Sequence, residues 1–150
     1  MTYPSSNKIT FKVPATEDFR AIISMLSAYS LPDSDIEPGR QSFIVAEHEG
    51  KIIGCAGYEA YGETALFRSL AVDSEYRNLD IGKLLTGKVM DLAHENNIHE
   101  FYLLTTTADR FFQKQGWKVI HRNEVPKEIK TSTEFASICP STAICMKFTY

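Results

Sequence analysis

The chain has few cysteines, no long apolar run and no excess of basic residues, and each shortage excludes a class of protein. Its three cysteines are an odd number without paired spacing, which is typical of free thiols rather than of a disulfide scaffold. No apolar run approaches the length that spans a membrane, and residues 1–6 lack the apolar core of a secretion signal. We therefore expect a cytoplasmic protein that does not enter a membrane.

The charge balance and the length limit the partners and the number of domains. The chain has 16 basic and 19 acidic residues and a formal net charge of −3, whereas a nucleic-acid surface requires a basic stripe. We expect no nucleic-acid partner. The 150 residues contain no repeat, linker or low-complexity segment, so we expect one domain over residues 1–150 with a substantial core.

Hydrophobic periodicity predicts alternating strands and helices along the chain. One helix follows Thr16, a candidate N-cap, and ends near Tyr29. The other elements are strands over 9–13, 43–47, 51–59, 65–72, 100–105, 117–121 and 143–148, and helices over 81–95, 107–115 and 125–135. The four strands before residue 73 form an antiparallel meander. The strand over 100–105 follows a helical crossover, so it must run parallel to the strand over 65–72.

The segment 66–85 joins a buried strand to a helix through a short loop. Such a junction points several backbone N–H groups and the positive end of a helix dipole at one place, which suits phosphate. Arg77 and Lys83 flank the loop, and Gly82 permits close approach to the backbone. We interpret the loop as the pyrophosphate cradle of a cofactor, although many such junctions carry Arg and Gly without a ligand.

Several segments resemble the GNAT superfamily of acyl-CoA N-acyltransferases. The first is Leu70-Ala71-Val72, which precedes the loop. The second is Arg-Asn-Leu-Asp-Ile-Gly at 77–82, which is similar to the family's Arg/Gln-x-x-Gly-x-Gly/Ala acetyl-CoA loop. The third is the segment 111–117, which is similar to the family's Phe-Tyr-x-x-x-Gly-Phe segment. Residues 103–108 resemble the acetyltransferase domain of N-acetylglutamate synthases. The tail resembles short N-acetyltransferases associated with arsenic resistance at 125–126, 134–136, 139–141 and 145–146.

The resemblance implies an α/β (α+β) protein with the GNAT fold. Its mixed central sheet is expected to have about six to seven strands and flanking helices, with an antiparallel N-terminal half and a parallel strand pair that splays apart. The implied enzyme moves acetyl from acetyl-CoA to the primary amine of a small molecule, such as an amino acid or a similar compound. The amine attacks directly in a ternary complex, with no metal and no covalent enzyme intermediate. The protein is expected to be a monomer or a homodimer.

The resemblance assigns the strand end, the loop and two aromatic residues to acetyl-CoA. The backbone N–H of Leu70 would polarise the thioester carbonyl. The pantetheine arm would enter between the splayed strands and bond to the backbone like a substitute strand. The cofactor-binding residues are Leu70, Ala71, Val72, Arg77, Asn78, Leu79, Asp80, Ile81, Gly82, Lys83, Phe111 and Phe112.

Two positions depart from the family's pattern. Asp80 replaces the first glycine of the loop. Asp tolerates a left-handed backbone, but its carboxylate repels pyrophosphate unless it points to solvent, so weakened rather than abolished cofactor binding is expected. Phe112 replaces a Tyr that protonates the leaving thiolate in many relatives. The proton for the thiolate must then come from water or from another hydroxyl, or the thiolate leaves without being protonated.

The acceptor side is less defined by the sequence. Arg68 alternates with Leu66, Leu70 and Val72 on one side of the strand, where it binds either an acceptor carboxylate or a neighbouring Glu. Thr105 and Thr106 either contact the acceptor or cap the next helix.

No general base is identified by the sequence. Glu47, Glu59, Glu63 and His48 lie near the predicted cleft, but each is expected to be a solvated surface residue, and a water chain is the alternative. Cys55, Cys139 and Cys145 are expected to be small buried residues. The rival functions are an N-acetylglutamate synthase, a CoA-binding module without turnover, and an accessory protein that binds As(III).

Overall fold

The computed structural model describes residues 8–135 and 142–150. In these residues the strands are β1 (Thr10–Lys12), β2 (Ser42–His48), β3 (Lys51–Tyr61), β4 (Thr64–Val72), β5 (Glu100–Thr105), β6 (Lys118–Ile120) and β7 (Ile144–Thr149). The helices are α1 (Phe19–Ala28), α2 (Ile81–Glu95), α3 (Asp109–Gln113) and α4 (Lys127–Lys130). Cys139 and the tail segment 139–141 lie outside the described residues.

The seven strands form one mixed sheet in the order β1-β2-β3-β4-β5-β7-β6. The pairs from β1 to β4 are antiparallel, β4 and β5 are parallel, and β7 pairs antiparallel with both β5 and β6. The predicted mixed sheet with an antiparallel N-terminal half and one parallel pair is confirmed.

Helices cover both faces of the sheet. On the α2 face, Leu85, Val89 and Ala93 recur every fourth residue of α2 and are fully buried against the sheet, because this spacing places them on one side of a helix. On the opposite face, which we call the α1 face, Ile22 and Leu26 of α1 pack against β2 and β3, and Ile129 of α4 packs against β4 and β5.

The parallel pair splays apart. Pairing between β4 and β5 starts at Thr64 with Glu100 and stops at Leu66 with Tyr102, although β4 continues to Val72 and β5 to Thr105. Over the same stretch β5 stays paired with β7 as far as Thr105 and Ile144. The two halves of the sheet therefore separate at the carboxyl ends of the parallel strands.

A β-bulge reverses the side-chain alternation of β4. Ser69 has a φ of +63°, and the register passes from Arg68 opposite Gly57 to Ala71 opposite Cys55, so two residues of β4 face one of β3. After the bulge, Leu70 and Val72 pack toward the α2 face, whereas Ala71 joins the core of the α1 face. The expectation that Arg68 shares a side with Leu70 and Val72 was therefore wrong.

Two helix predictions were also inaccurate. Thr16 does not cap the first helix; instead the Asp18 carboxylate accepts the backbone N–H of Ala15 at 2.8 Å. The helix expected over 125–135 is interrupted: α4 begins after Pro126 and contains one buried residue, Ile129, and residues 133–135 are helical again after a turn. Local patterns place these elements but not their ends.

Candidate active site

The splayed strands enclose a cleft of about 1090 Å³. It is lined by the end of β4, the end of β5, the loop before α2, and residues of α3 and of the segment after α4. Every predicted site residue except Leu79 lines it; Leu79 packs against the core of the α2 face. The structure thus brings together residues that the sequence spreads over four elements.

Free backbone donors stand at the α2 end of the cleft. Asp80, the residue before α2, has a φ of +58°, so the expected left-handed turn is present without glycine. The first helical hydrogen bond runs from the Leu84 N–H to the Asp80 carbonyl at 3.0 Å. The N–H groups of Ile81, Gly82 and Lys83 therefore have no acceptor within the helix.

Two cations accompany these donors. The Arg77 guanidinium lies 5.0 Å from the centre of the Tyr29 ring, and its Nε donates to the Val72 carbonyl at 3.3 Å. The Lys83 side chain is exposed. Arg77, in the loop, and Lys83, in the first turn of α2, both line the cleft together with the free N–H groups.

Gly82 and the two phenylalanines form the wall beside the helix terminus. A Cβ atom built on Gly82 would lie 3.4 Å from the Phe111 ring, an ordinary contact, so the fold tolerates a side chain there. Phe112 is buried, with its ring centre 5.8 Å from that of Phe67 and 5.7 Å from that of Trp117. Phe112 therefore also completes the core.

A buried ion cluster occupies the α1-face side of the cleft. Arg68 Nη1 donates to Asp35 Oδ2 and to Glu59 Oε1, both at 2.6 Å, and Nη2 donates to Asp35 Oδ1 at 2.8 Å. Arg68 Nε donates to the Ser69 hydroxyl at 3.0 Å. Burial opposes both charges, yet their hydrogen bonds hold the pKa of Arg68 above and that of Asp35 below the usual value. This is the ion-pair alternative that the sequence left open for Arg68.

Sequence reasoning missed two residues of this cluster, Asp35 and Glu134, and Glu134 is the one that lines the cleft. Its side chain is 4% exposed and lines the cleft, with Oε1 3.8 Å from Arg68 Nε. Among the described residues, Oε2 has no hydrogen-bond partner. Burial raises the pKa of Glu134 to about 7; Arg68 lowers it, and Asp35 and Glu59 raise it. A lone Glu after a short helix carries no sequence signal for this role.

None of the four side chains that the sequence suggested as a general base lines the cleft. Glu63 is exposed, and Glu47 binds Lys12 Nζ at 2.9 Å. Glu59 is buried in the ion cluster, and His48 is buried with Nδ1 2.8 Å from the Tyr76 hydroxyl. The expectation of a solvated side chain was wrong for Glu59 and His48.

Threonines line the end of β5. The Thr105 hydroxyl accepts the Ala108 N–H at 2.9 Å and so closes the turn before α3, but the N-cap of α3 is Ala108, and no side chain of the described residues caps this helix. Thr106 is exposed at the cleft. The side chain of Thr106 thus remains available to an acceptor.

We also searched the described residues for a metal site, a membrane-spanning helix and a reactive cysteine. Within 8–135 and 142–150, no three His, Cys, Asp or Glu side chains are grouped so as to hold a metal ion. No helix in these ranges has the length and hydropathy needed to cross a bilayer. Cys55 and Cys145 are both buried, and burial raises the pKa of Cys55 to about 12.

Solved structures with the same arrangement of strands and helices include enzymes with bound coenzyme A. N-acetylglutamate synthase from Neisseria gonorrhoeae, complexed with coenzyme A and N-acetyl-glutamate, has a TM-score of 0.80 over 94% of this chain and 35% of that chain, at 17% identity. A Mycobacterium tuberculosis protein in complex with CoA has a TM-score of 0.76 over 94% of this chain and 99% of that chain, at 20% identity. Identities this low establish the fold alone.

The sequence establishes the family. The model of the acetyltransferase (GNAT) domain matches residues 39–119, more than half of the chain. The chain belongs to this family, as the motifs predicted.

The curated relatives are longer than the part they share with this chain. An uncharacterized N-acetyltransferase of Chlorobaculum tepidum is 34% identical over 106 residues, which cover 70% of this chain and 66% of that protein. The amino-acid acetyltransferase of Aeromonas salmonicida is 32% identical over 88 residues, 57% of this chain and 20% of that enzyme. The matched region therefore spans about two thirds of the first relative and one fifth of the second.

Proposed function

We propose that the protein is an N-acetyltransferase that moves acetyl from acetyl-CoA to the primary amine of a small molecule. One observation carries the proposal: β4 and β5 stop pairing at Leu66 and Tyr102, and the free N–H groups that open α2 stand beside the gap. An opened strand pair offers backbone bonds to an extended pantetheine arm, and a helix N-terminus offers a site for its diphosphate.

In this proposal the cofactor lies along the α2 side of the cleft. The diphosphate binds the N–H groups of Ile81, Gly82 and Lys83, with Arg77 beside it. The pantetheine arm follows β4 toward the bulge, which places the thioester near the N–H of Leu70. That N–H would stabilise the oxyanion that forms on the acetyl carbonyl.

The acceptor amine would enter from the α1 side and attack the acetyl carbonyl directly. The new N–C bond forms, the C–S bond breaks, and its electron pair leaves with sulfur as the CoA thiolate. Phe112 has no proton to give, so the thiolate leaves unaided or is protonated by water. Neither of the buried thiols, Cys55 and Cys145, is required.

We propose an amino acid or a similar compound as the acceptor, supported by the similarity to amino-acid acetyltransferases. An N-acetylglutamate synthase-like activity is the alternative within this class. The kinship with arsenic-resistance enzymes stays a prediction. Because Arg68 is held by Asp35 and Glu59, recognition of an acceptor carboxylate by Arg68 requires that these bonds rearrange.

A thiol-release assay over an amine panel tests the proposal. The panel pairs each amino acid with its decarboxylated amine, for example glutamate with 4-aminobutyrate and tyrosine with tyramine. We expect CoA to be released only when an amine is present. A higher rate with the amino acid than with its decarboxylated amine, or the reverse, shows whether the acceptor carries a carboxylate. Calorimetric binding of acetyl-CoA without release for any amine would contradict it and favour a binding module.

Replacing Asp80 by glycine is expected to tighten acetyl-CoA binding. The substitution keeps the left-handed turn and removes a carboxylate beside the diphosphate, a change of about 1 kcal/mol or roughly fivefold in Kd at low salt. Calorimetry at low and high ionic strength measures the effect. Asp80→Asn is the matched control, since it removes only the charge and should give a similar gain. An unchanged or larger Kd in both variants would contradict the placement of the diphosphate.

A further inference from the structure

We propose that Glu134 is the general base of this site: its carboxylate takes a proton from the ammonium group of the acceptor. The inference rests on the proposed function and adds to it a catalytic residue that neither the sequence motifs nor the family match supplies. The match ends at residue 119, before Glu134.

The position of Glu134 fits an acceptor that enters from the α1 side. Arg68 Nε contacts the Ser69 hydroxyl at 3.0 Å and Glu134 Oε1 at 3.8 Å. One guanidinium therefore links the carboxyl group to the bulge whose next residue, Leu70, carries the proposed oxyanion donor. Proton acceptor and oxyanion donor then lie on adjoining walls of one cleft.

The free oxygen of Glu134 points to a ligand. Asp35 uses both of its oxygens on Arg68, and Glu59 uses one on Arg68 and the other on the Tyr61 hydroxyl at 2.8 Å. Among the residues described, two buried side-chain atoms have no hydrogen-bond partner, the indole nitrogen of Trp117 and Glu134 Oε2, so Oε2 is the one such oxygen in the ion cluster. An unpartnered buried polar atom is costly, so a donor supplied by the substrate is the natural partner.

The surrounding charges leave Glu134 able to gain and lose a proton. Arg68 faces it from β4, Asp35 from the segment after α1, and Glu59 from β3. The Arg68 guanidinium pairs with three carboxyl groups. It lies 2.6 Å from Asp35 and from Glu59 but 3.8 Å from Glu134. Burial accordingly raises the pKa of Glu134 to about 7, near which a general base works well at neutral pH.

The proton balance is complete without a further reagent. The carboxylate of Glu134 accepts one proton from R–NH₃⁺, and the neutral amine forms the N–C bond with the acetyl carbon. As the C–S bond breaks, sulfur keeps the electron pair. The nitrogen then loses its second proton, which reaches the thiolate through water and gives CoA-SH. Glu134 returns its proton to solvent before the next turnover.

Glu134→Gln in the full chain tests the proposal, with Glu128→Gln of the exposed face of α4 as the control. We expect the calorimetric Kd for acetyl-CoA to stay within about twofold, and kcat/KM for the best amine to fall by about 100-fold or more. In the wild type and in Glu128→Gln, kcat/KM should rise with pH through about 7, whereas Glu134→Gln should lose this limb.

Two further variants separate catalysis from folding. Glu134→Asp keeps a carboxylate and should retain part of the activity and the pH limb, and Glu134→Ala should regain activity with added formate. Because the pKa of Glu134 is raised in the folded state, wild-type stability is lost as pH rises toward about 7, so Glu134→Gln should be at least as stable at pH 8.

The possible failures are distinguishable. A wild type that releases no thiol with any amine refutes the proposed function. A wild type that turns over, together with a folded Glu134→Gln variant that keeps its rate and pH limb, refutes only the base. A loss of activity in Glu134→Gln that follows a loss of folded protein, without formate rescue of Glu134→Ala, also overturns the assignment.

Discussion

Replacing Arg68 by methionine is expected to lower the free energy of unfolding by about 3–5 kcal/mol at pH 8, because it leaves buried carboxyl groups without their cation. Asp35, Glu59 and Glu134 all have side chains that are at most 7% exposed, and Arg68 is their shared partner. Urea unfolding of the variant and the wild type measures the difference. Lys51→Met is the control, since exposed Lys51 lies 3.8 Å from Asp73 and such surface pairs contribute less than about 1 kcal/mol.

The pH dependence of this loss identifies its cause. Without Arg68 the three carboxyl groups retain protons to higher pH in the folded state, so stability present at pH 5 is lost as pH rises toward 8. The variant should therefore lose stability with pH more steeply than the wild type. A fully stable variant in which only the KM of the acceptor rises would instead support the reading of Arg68 as a carboxylate receptor.

Replacing Gly82 by glutamate is expected to separate folding from cofactor binding. A carboxylate in the first turn of α2 interacts favourably with the helix dipole, and a side chain at Gly82 meets only ordinary contacts with Phe111, so the fold should be unharmed. The same carboxylate faces the proposed diphosphate. We expect the Kd for acetyl-CoA to rise by about 10- to 100-fold, corresponding to roughly 1.4–2.8 kcal/mol.

Gly82→Gln is the matched control for this prediction, since it occupies the same volume without charge. Its binding defect should be clearly smaller, and added salt should recover part of the binding in Gly82→Glu but not in Gly82→Gln. Thermal unfolding checks that both variants fold. Equal Kd values for the wild type and both variants would place the diphosphate elsewhere.

The sequence could predict the parts of the site that depend on local pattern. The alternation in β4, the helical period from Ile81 and the loop between them are contained in consecutive residues, so the strand–loop–helix junction is readable. Asp80 shows how far this extends: its tolerance of a left-handed backbone predicted the turn that the structure has.

The bulge and the ion cluster could not be predicted in this way. Ser69 adopts a positive φ without being glycine, so nothing in the strand pattern indicates where its alternation reverses. Asp35, Glu59 and Glu134 come from a loop, a strand and the segment after α4, and only the tertiary fold brings them to Arg68. Each carboxyl group alone reads as an ordinary surface residue.

The reversal at Ser69 has a consequence for how the protein can change. Arg68 before it faces the ion cluster on the α1 face and Leu70 after it packs toward the α2 face, so under the proposed function neighbouring positions of one strand face the acceptor and the cofactor. An insertion or deletion within β4 before Ser69 would reverse the faces of the residues between the change and the bulge, and would disturb both assignments. Under the proposed function, point substitutions on β4 can therefore alter one specificity at a time, whereas a change in the length of β4 would disturb both.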